Sequence, residues 1–381
     1  MIRRIRIQNF KSLRDVTVEL SPVTVFIGKS GTGKTNFVSA IRFLRDYLWE
    51  GKVPGYVQDQ RLWQCATNPK EPTEFTVHFT IPAIDPSFTY RLRLAGEDWR
   101  LSFEQLVWGT EIVFCQSERE RKLVHQLTWE VPPEVVGPPE PGLVALGRLP
   151  GVEAAVLAHT ALTAGIGVYN FPYNALQKSG QASPGFGLAD RAENYLQVLR
   201  QLLTDLENIE TRKAMVATLQ WLNPTILSIQ PDSIQNPQKV IVGHRLGEKI
   251  LPLDLAQESD GFRRFFAHLL ALYQKPSKQT LVFEEPENGI YPAALELLAN
   301  EFKAAPEAGR GQVLLTTHSP LLLDQFSAEH IRVVELVDLE TRIGPLAEDQ
   351  REALREQLLH PGELFTVDPA RIASIESETA G

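Results

Sequence analysis

The chain has 381 residues, with 38 basic and 47 acidic side chains, a formal net charge of −9 and 43% apolar residues. These values exclude wholesale disorder and argue against a protein coated in nucleic acid by bulk charge, although they leave room for a local basic patch. Two cysteines, Cys65 and Cys115, cannot make a disulfide framework or a cysteine-based zinc site. The N-terminus has no apolar signal region and no stretch is long and apolar enough to span a membrane, so a cytoplasmic protein is expected; the length gives about two and a half domains' worth of chain, or one large domain with an insertion.

At the start, Ile5 and Ile7 alternate with Arg4 and Arg6, the period of a half-exposed strand. Residues 16–20 predict a second strand. Residues 23–27 are nearly all apolar, as in a strand buried on both faces. A glycine-rich turn follows, and then Phe37, Val38, Ile41, Leu44 and Leu48 recur at helical spacing. Residues 73–130 predict an antiparallel meander of short alternating strands at 75–81, 88–94, 101–108, 111–115 and 123–131. Residues 131–150, rich in proline and glycine, predict a connector.

Between 188 and 222 the pattern is helical. Leu196, Leu199, Leu203 and Leu206 form one stripe, Met215, Leu219 and Leu222 another, with a break near Asn208 and a stop at Pro224. Each stripe is too short for a long coiled coil and fits core packing. A strand pair at 239–242 and 249–253 follows. After it come a helix from about Gly261, a strand at 280–283, a helix from about Pro292 and a strand at 312–316. This alternation predicts a parallel α/β sheet. From about Asp349 one helix-like stretch precedes polar residues.

Residues 28–35 read Gly28, Lys29, Ser30, Gly31, Thr32, Gly33, Lys34, Thr35, which fits G-x-x-x-x-G-K-[ST]. Glycines let successive backbone N–H groups turn inward toward phosphate oxygens, and the helix that follows adds the positive end of its dipole. Lys34 would reach the β- and γ-phosphates, and the Thr35 hydroxyl would hold Mg²⁺. With the adjoining Asn36, these residues are the nucleotide-binding candidates. A strand before and a helix after satisfy the context the motif requires.

A second strand ends in acids: Leu281-Val-Phe-Glu-Glu-Pro-Glu287. The acids emerge where ligands bind in open α/β sheets. Glu284 would stand behind Mg²⁺, and Glu285 would polarise the attacking water as a base. Ser259, Asp260 and Gly261 open a helix that Ser259 can cap and whose free N–H groups can bind an anion. His318, in Thr316-Thr-His-Ser-Pro320, could donate a hydrogen bond to a γ-phosphate. Taken singly, the last two segments read better as an ordinary capped helix and a structural histidine.

In this order, the phosphate loop, S-D-G-x-x-R, the strand ending E-E-P-E and T-T-H-S-P resemble the ATPase heads of the ABC class, and more narrowly the RecF, SMC and OLD branch. The opening segment from Ile5 to Leu13 resembles that branch's first strand and turn. The resemblance implies an α/β P-loop NTPase fold: an ABC-type ATPase head with an antiparallel β-meander lobe and a helical insertion. It divides the chain into a head (1–130 and 239–340), a connector with helical insertion (131–238) and a C-terminal helix and tail (341–381). It also implies two heads dimerised around two ATP molecules. Residues 28–35, Glu284, Glu285 and His318 would act in cis; Ser259, Asp260 and Gly261 would contact the γ-phosphate held by the partner. Glu287, Asn288 and Gly289 resemble the loop that links the two sites. Lys11 and Ser12 are either nucleotide contacts or a solvated turn.

The family pattern usually has Asp where this chain has Glu284, a shift of about one bond length for an ion that demands near-octahedral geometry. Gln105 and Gln116 are equal candidates for the glutamine loop. The long separation of Lys34 from Glu285 implies an insertion, without the heptads of an SMC arm. The stretch after His318 is too short for the TOPRIM-type nuclease module of OLD proteins, so a stand-alone ATPase with a separate nuclease or effector is expected. Arg3, Arg4, Arg6, Lys11 and Arg14, and Arg119, Arg121 and Lys122, read first as solvated strand faces, with weak, salt-sensitive DNA binding as the alternative. An ATP-operated switch with negligible turnover and a non-DNA ABC ATPase subunit are the competing functional readings.

Overall fold

The computed structural model describes residues 1–96, 99–117, 121–123, 141–148, 152–177, 187–204, 208–233 and 239–373. In chain order the elements are β1 (Ile2–Phe10), β2 (Leu13–Glu19), β3 (Val23–Ile27), α1 (Lys34–Glu50), β4 (Thr73–Ile81), β5 (Ile84–Ala95), β6 (Arg100–Trp108), β7 (Glu111–Ser117), β8 (Arg121–Leu123), α2 (Gly142–Leu146), α3 (Glu153–Leu162), β9 (Ile166–Tyr169), α4 (Tyr195–Thr204) and α5 (Ile209–Leu222). There follow β10 (Ile226–Pro231), β11 (Val240–Leu246), β12 (Lys249–Asp254), α6 (Asp260–Tyr273), β13 (Thr280–Glu284), α7 (Pro292–Glu307), β14 (Gln312–Thr316), α8 (Pro320–Leu323), β15 (Ile331–Val337), β16 (Glu340–Pro345) and α9 (Glu348–Arg355). Two compact units result: Met1–Ile166 with Ser327–Gly381, and Gly167–Phe326. The partition by motif given above is a separate proposal.

In the first unit the meander is real. Its strands run in the order β2-β1-β4-β5-β6-β7-β8, with antiparallel neighbours throughout. Alternation sets its two faces. Ile5, Ile7, Val16, Val18, Phe75, Val77, Tyr90 and Leu92 are buried, whereas Arg4, Arg6 and Arg91 are exposed. Phe10, Phe43, Phe75 and Trp99 form one aromatic cluster that joins α1 to the buried face. Edge-to-face and stacked pairs of this kind add about 0.5–1.5 kcal/mol each beyond area burial. Beside β3 runs β15, parallel to it, and β16 pairs antiparallel with β15.

Two departures from the sequence reading have identifiable causes. Within the predicted connector, 142–146 form α2; residues 131–140 and 149–150 of that connector, and the predicted strand beyond 123, lie outside the described residues. The carboxylate of Glu104, on β6, accepts from Gly142 N at 2.5 Å and Leu143 N at 3.0 Å, which satisfies the first donors of this short helix from far away in sequence. Glu104 is fully buried, and it also accepts from Tyr90 OH at 2.7 Å and Gln116 Nε2 at 2.6 Å. Burial pushes its carboxyl up, against those four hydrogen bonds. The hairpin β15–β16 was not predicted either. Its turn, Asp338-Leu339, has φ of 52° and 66°, the left-handed geometry of a tight hairpin but without its usual Asn-Gly signal.

The second unit holds the parallel pair β13–β14, with β9 on the other side of β13. Its core is Phe265, Phe266, Leu269, Leu281, Phe283, Leu298, Phe302, Val313 and Leu315, all essentially inaccessible. A small antiparallel sheet, β10-β11-β12, stands apart from that pair. The predicted helical stripe falls on α4 and α5, with Asn208 as the N-cap of α5; Leu206 of that stripe lies outside the described residues. Met215 and Leu219 are buried, as core packing requires.

Candidate functional site

The phosphate-loop candidates lie in the first unit and the acids, signature residues and histidine in the second, so each group is built on its own. The five residues of β3 are all buried, and they deliver the chain to the loop. Gly33 is the N-cap of α1 with φ 107°, and no side chain caps the helix. The first turn of α1 therefore keeps backbone donors available for an anion. A Cβ on Gly33 would come within 2.0 Å of Thr341 Oγ1; one on Gly28 (φ 156°) would come within 2.1 Å of Val334 O. Only glycine fits either place.

Lys34 is buried, and its Nζ donates to Gly28 O at 2.8 Å and Lys29 O at 2.9 Å. The ammonium thus spans the loop from inside. Lys29, Ser30, Gly31 and Thr35 are exposed, the last with its hydroxyl at the start of α1. Thr32 is turned inward, donating to Lys29 O at 2.9 Å. Beneath the loop, Thr341 Oγ1 donates to Thr32 O at 2.9 Å and pairs with Ser12 Oγ at 2.6 Å, while Asn36 Nδ2 donates to Ser12 Oγ at 2.7 Å. Asn36 and Ser12 therefore brace the loop from below. Lys11 places its ammonium 4.0 Å from the ring centre of Trp63, a cation–π contact. Of the glutamine-loop candidates, Gln116 is bonded to Glu104 and Gln105 is half-buried on β6.

In the second unit, β13 and β14 set Glu284 opposite Thr316. Glu285 follows with φ 47°, a left-handed conformation that costs a non-glycine residue about 1 kcal/mol or more. Its N–H donates to Thr316 O and Thr316 Oγ1, both at 3.2 Å, which holds the turn. Its carboxylate accepts from Asn288 Nδ2 at 2.9 Å and lies 3.6 Å from His318 Nε2. Glu285 and His318 are each a little over a third exposed. Glu287 faces inward and accepts from Thr317 Oγ1 and His318 N, both at 2.8 Å. Burial raises its pKa, and its Oε2 has no partner among the described residues. Glu287 thereby fixes the backbone from which His318 projects.

Ser259 caps α6, accepting from Phe262 N at 3.2 Å. Asp260 is bonded to Arg263, a guanidinium only 2% exposed that also donates to Ala175 O, Ala256 O and Glu258 O. Arg264 donates to Asn288 O, so the start of α6, with Gly261, is tied to the loop after Glu285. Sequence reasoning named Glu284, Glu285, His318 and Ser259 to Gly261. It also held Arg264 and Asn288 within its motifs, without these contacts, and it missed Asn170, which donates to Glu284 Oε2 at 3.1 Å. Asn170 follows a four-residue strand and carries no motif.

The N-terminal cations are mostly matched by acids. Arg4 pairs with Glu19 at 3.2 Å, Arg6 with Asp15 at 2.6 Å and Arg14 with Glu340 at 2.8 Å. Arg119 lies outside the described residues. No helix among the described residues is long and apolar enough to cross a membrane.

Residues 1–81 match the family described as "AAA ATPase domain", and residues 176–324 match "AAA domain, putative AbiEii toxin, Type IV TA system". Over 103 residues the chain is 32% identical to an OLD nuclease of Thermus scotoductus (strain ATCC 700910 / SA-01); the match covers 26% of this chain and 19% of that protein. The chain thus spans about a fifth of the length of the curated relative it matches. An SMC head bound to the C-winged helix domain of ScpA superposes with a TM-score of 0.59 at 15% identity, over 92% of this chain and 99% of that one. An Smc head domain with an extended coiled coil, bound to the C-terminal domain of ScpA derived from Pyrococcus furiosus, gives 0.55 at 14% identity, over 94% and 99%. At such identities the likeness concerns the fold. Two segments of the chain thus match AAA ATPase models, a stretch of it is similar to an OLD nuclease, and the α/β fold resembles that of an SMC head. Among the described residues the longest helix is α1, with 17 residues, so no long coiled coil occurs there.

Proposed function

We propose that this protein is a magnesium-dependent ATPase that dimerises around ATP and gates a DNA-linked process, repair or phage defence, with a separate effector, in the cytoplasm. The family matches support ATP binding and hydrolysis in general; the metal, the dimer, the DNA and the effector are our reading. The observation that carries it is Glu285, held on a left-handed backbone between the Asn288 amide and His318. Strain maintained at an acid with a histidine beside it is the pattern of a group kept in place for chemistry.

The residues present fit a magnesium nucleotide. The glycine cradle would admit no Cβ at Gly28 or Gly33, the start of α1 is uncapped, and Lys34 already bridges loop carbonyls. In this reading Gly28 to Thr35 and Lys34 hold the phosphates, and Thr35 and Glu284 hold the metal. Bound Mg²⁺ would offset charge on the phosphate oxygens. Glu285 would accept a proton from the attacking water, and Asn288 would keep its carboxylate oriented. His318 would donate to the γ-phosphate. Ser259, Asp260 and Gly261 would meet the phosphate of a second copy. The heads of known fold bind ScpA, which makes a protein partner for this chain a reasonable extension.

The competing reading is a switch with negligible turnover, favoured by Glu284 at a position where the family usually has Asp. Light scattering on a sizing column tests both, using Glu285→Gln with and without Mg-ATP beside wild-type turnover. Expected are a dimer that forms only with Mg-ATP and a hydrolysis rate about 10²–10⁴-fold below wild type. Unchanged mass with no wild-type turnover would sink the ATPase and leave the switch.

A further inference from the structure

Glu284 has a tether that no motif announces. Asn170, the residue after β9, donates from Nδ2 to Glu284 Oε2 at 3.1 Å. The four residues of β9 are all buried and β9 neighbours β13, so the strand itself brings residue 170 to the end of the acid strand. Tyr169 packs against Phe171 and Phe283, which fastens the strand end to β13 through side chains. The Asn170 backbone N–H donates to Asp190 O at 3.1 Å. Further along, Pro172 O accepts from Arg264 Nε at 3.3 Å and Ala175 O from Arg263 Nε at 3.2 Å. The amide is therefore mounted on a segment held at both ends.

The need for such a tether follows from the acid. A glutamate has one more rotatable bond than an aspartate and carries its carboxylate about 1.5 Å further from the backbone. Freezing a free Glu side chain costs on the order of 1.5–2 kcal/mol of rotamer freedom. A neutral amide donor on one oxygen confines those torsions before any ligand arrives. It leaves the other oxygen available and adds no charge to the site. An Asp at 170 would do the reverse, setting a second carboxylate against the first.

We propose that Asn170 is a positioning residue for Glu284: its amide holds one carboxylate oxygen so that the other is presented to a hydrated divalent cation, and this offsets the extra methylene of Glu284. The proposal rests on reading residues 28–35 and Glu284 as a magnesium-nucleotide site.

The probe is Mn²⁺ with ATP, followed by electron paramagnetic resonance in the Glu285→Gln background so that nucleotide is not consumed. Asn170→Ala weakens Mn²⁺ binding about tenfold, within the range usual for partners of metal ligands. Asn170→Asp weakens it at least as much. Metal-free ATP binding and the melting temperature stay at the parent values, because among the described residues the amide's hydrogen bond goes to Glu284 and residue 170 is exposed. In a Glu284→Asp background the same Asn170→Ala change costs less than threefold, because the shorter carboxylate no longer reaches the amide. Equal Mn²⁺ affinity in parent and Asn170→Ala would overturn the proposal, as would a tenfold loss that persists undiminished beside Glu284→Asp. Those results would leave the nucleotide reading intact. A parent protein that binds no Mn-ATP would remove that reading and this proposal together.

Discussion

The phosphate loop and the acid cluster are held by different means. The loop is shaped by backbone and close fit: two glycines pressed against Val334 O and Thr341 Oγ1, and a lysine bonded to the loop's own carbonyls. The acid cluster is shaped by side chains that come from separate stretches of chain: Asn170, Thr316, Thr317 and Asn288. A site made by steric fit tolerates no added atom, whereas one made by hydrogen bonds degrades in steps.

The comparison can be broken at four points. The largest expected effect is at Gly33. Gly33→Ala adds a Cβ within 2.0 Å of Thr341 Oγ1 at φ 107°, and we expect a loss of about 3 kcal/mol of stability with loss of ATP binding. Adding Thr341→Ala removes the clash but not the backbone strain, so rescue should be partial; full rescue in thermal melts would show that the fit was not limiting.

Next is His268, buried on α6 among Phe171, Phe283 and Phe302, with Nδ1 2.7 Å from Arg264 O. Burial pulls its pKa down to about 4, with the Arg264 charge acting the same way. From pH 6.5 down to about 4 the unfolded chain takes up a proton that the folded chain refuses. Stability is therefore lost as pH falls through that window, by about 3 kcal/mol. Denaturant midpoints of His268→Leu should lack this part of the acid slope. An identical slope would place the titration elsewhere.

Smaller again is Asn288→Ala, which removes the amide from Glu285 Oε2. Hydrolysis should fall about tenfold, or 1.4 kcal/mol, with ATP affinity kept; a total loss would mean that the acid cluster is as brittle as the loop. The smallest is Arg6→Ala. Its pair with Asp15 is nearly half exposed, so stability should change by less than about 1 kcal/mol, and a larger drop in a urea melt would show that the outer sheet face carries more than solvated ion pairs.

Legibility in the sequence follows the same division. Residues 28–35 could be read because the backbone geometry of a phosphate loop is written in adjacent residues. The meander could be read because alternation is local, and the helix starts at Ser259 and Pro292 because caps are local. Glu284, Glu285 and His318 stood out only as members of an ordered set. Asn170 could not be found, because its importance lies in the acid that β9 brings it to. The helix within the connector was hidden for the same reason: the acceptor for its first N–H groups is Glu104, a residue of the meander. Asp338-Leu339 hid a hairpin because neither residue type advertises a positive φ.

That hairpin has a consequence for how the protein comes into being. The two glycines of the phosphate loop fit against Val334 and Thr341, and β3 itself pairs with β15. The wall that gives the motif its shape is made roughly three hundred residues after the motif itself, a very long closure for a folding chain. A nascent polypeptide therefore displays the whole signature on the ribosome before anything enforces its geometry. The ability to grip a nucleotide arrives late, as a certificate that residues 331–345 have been made and have found their place.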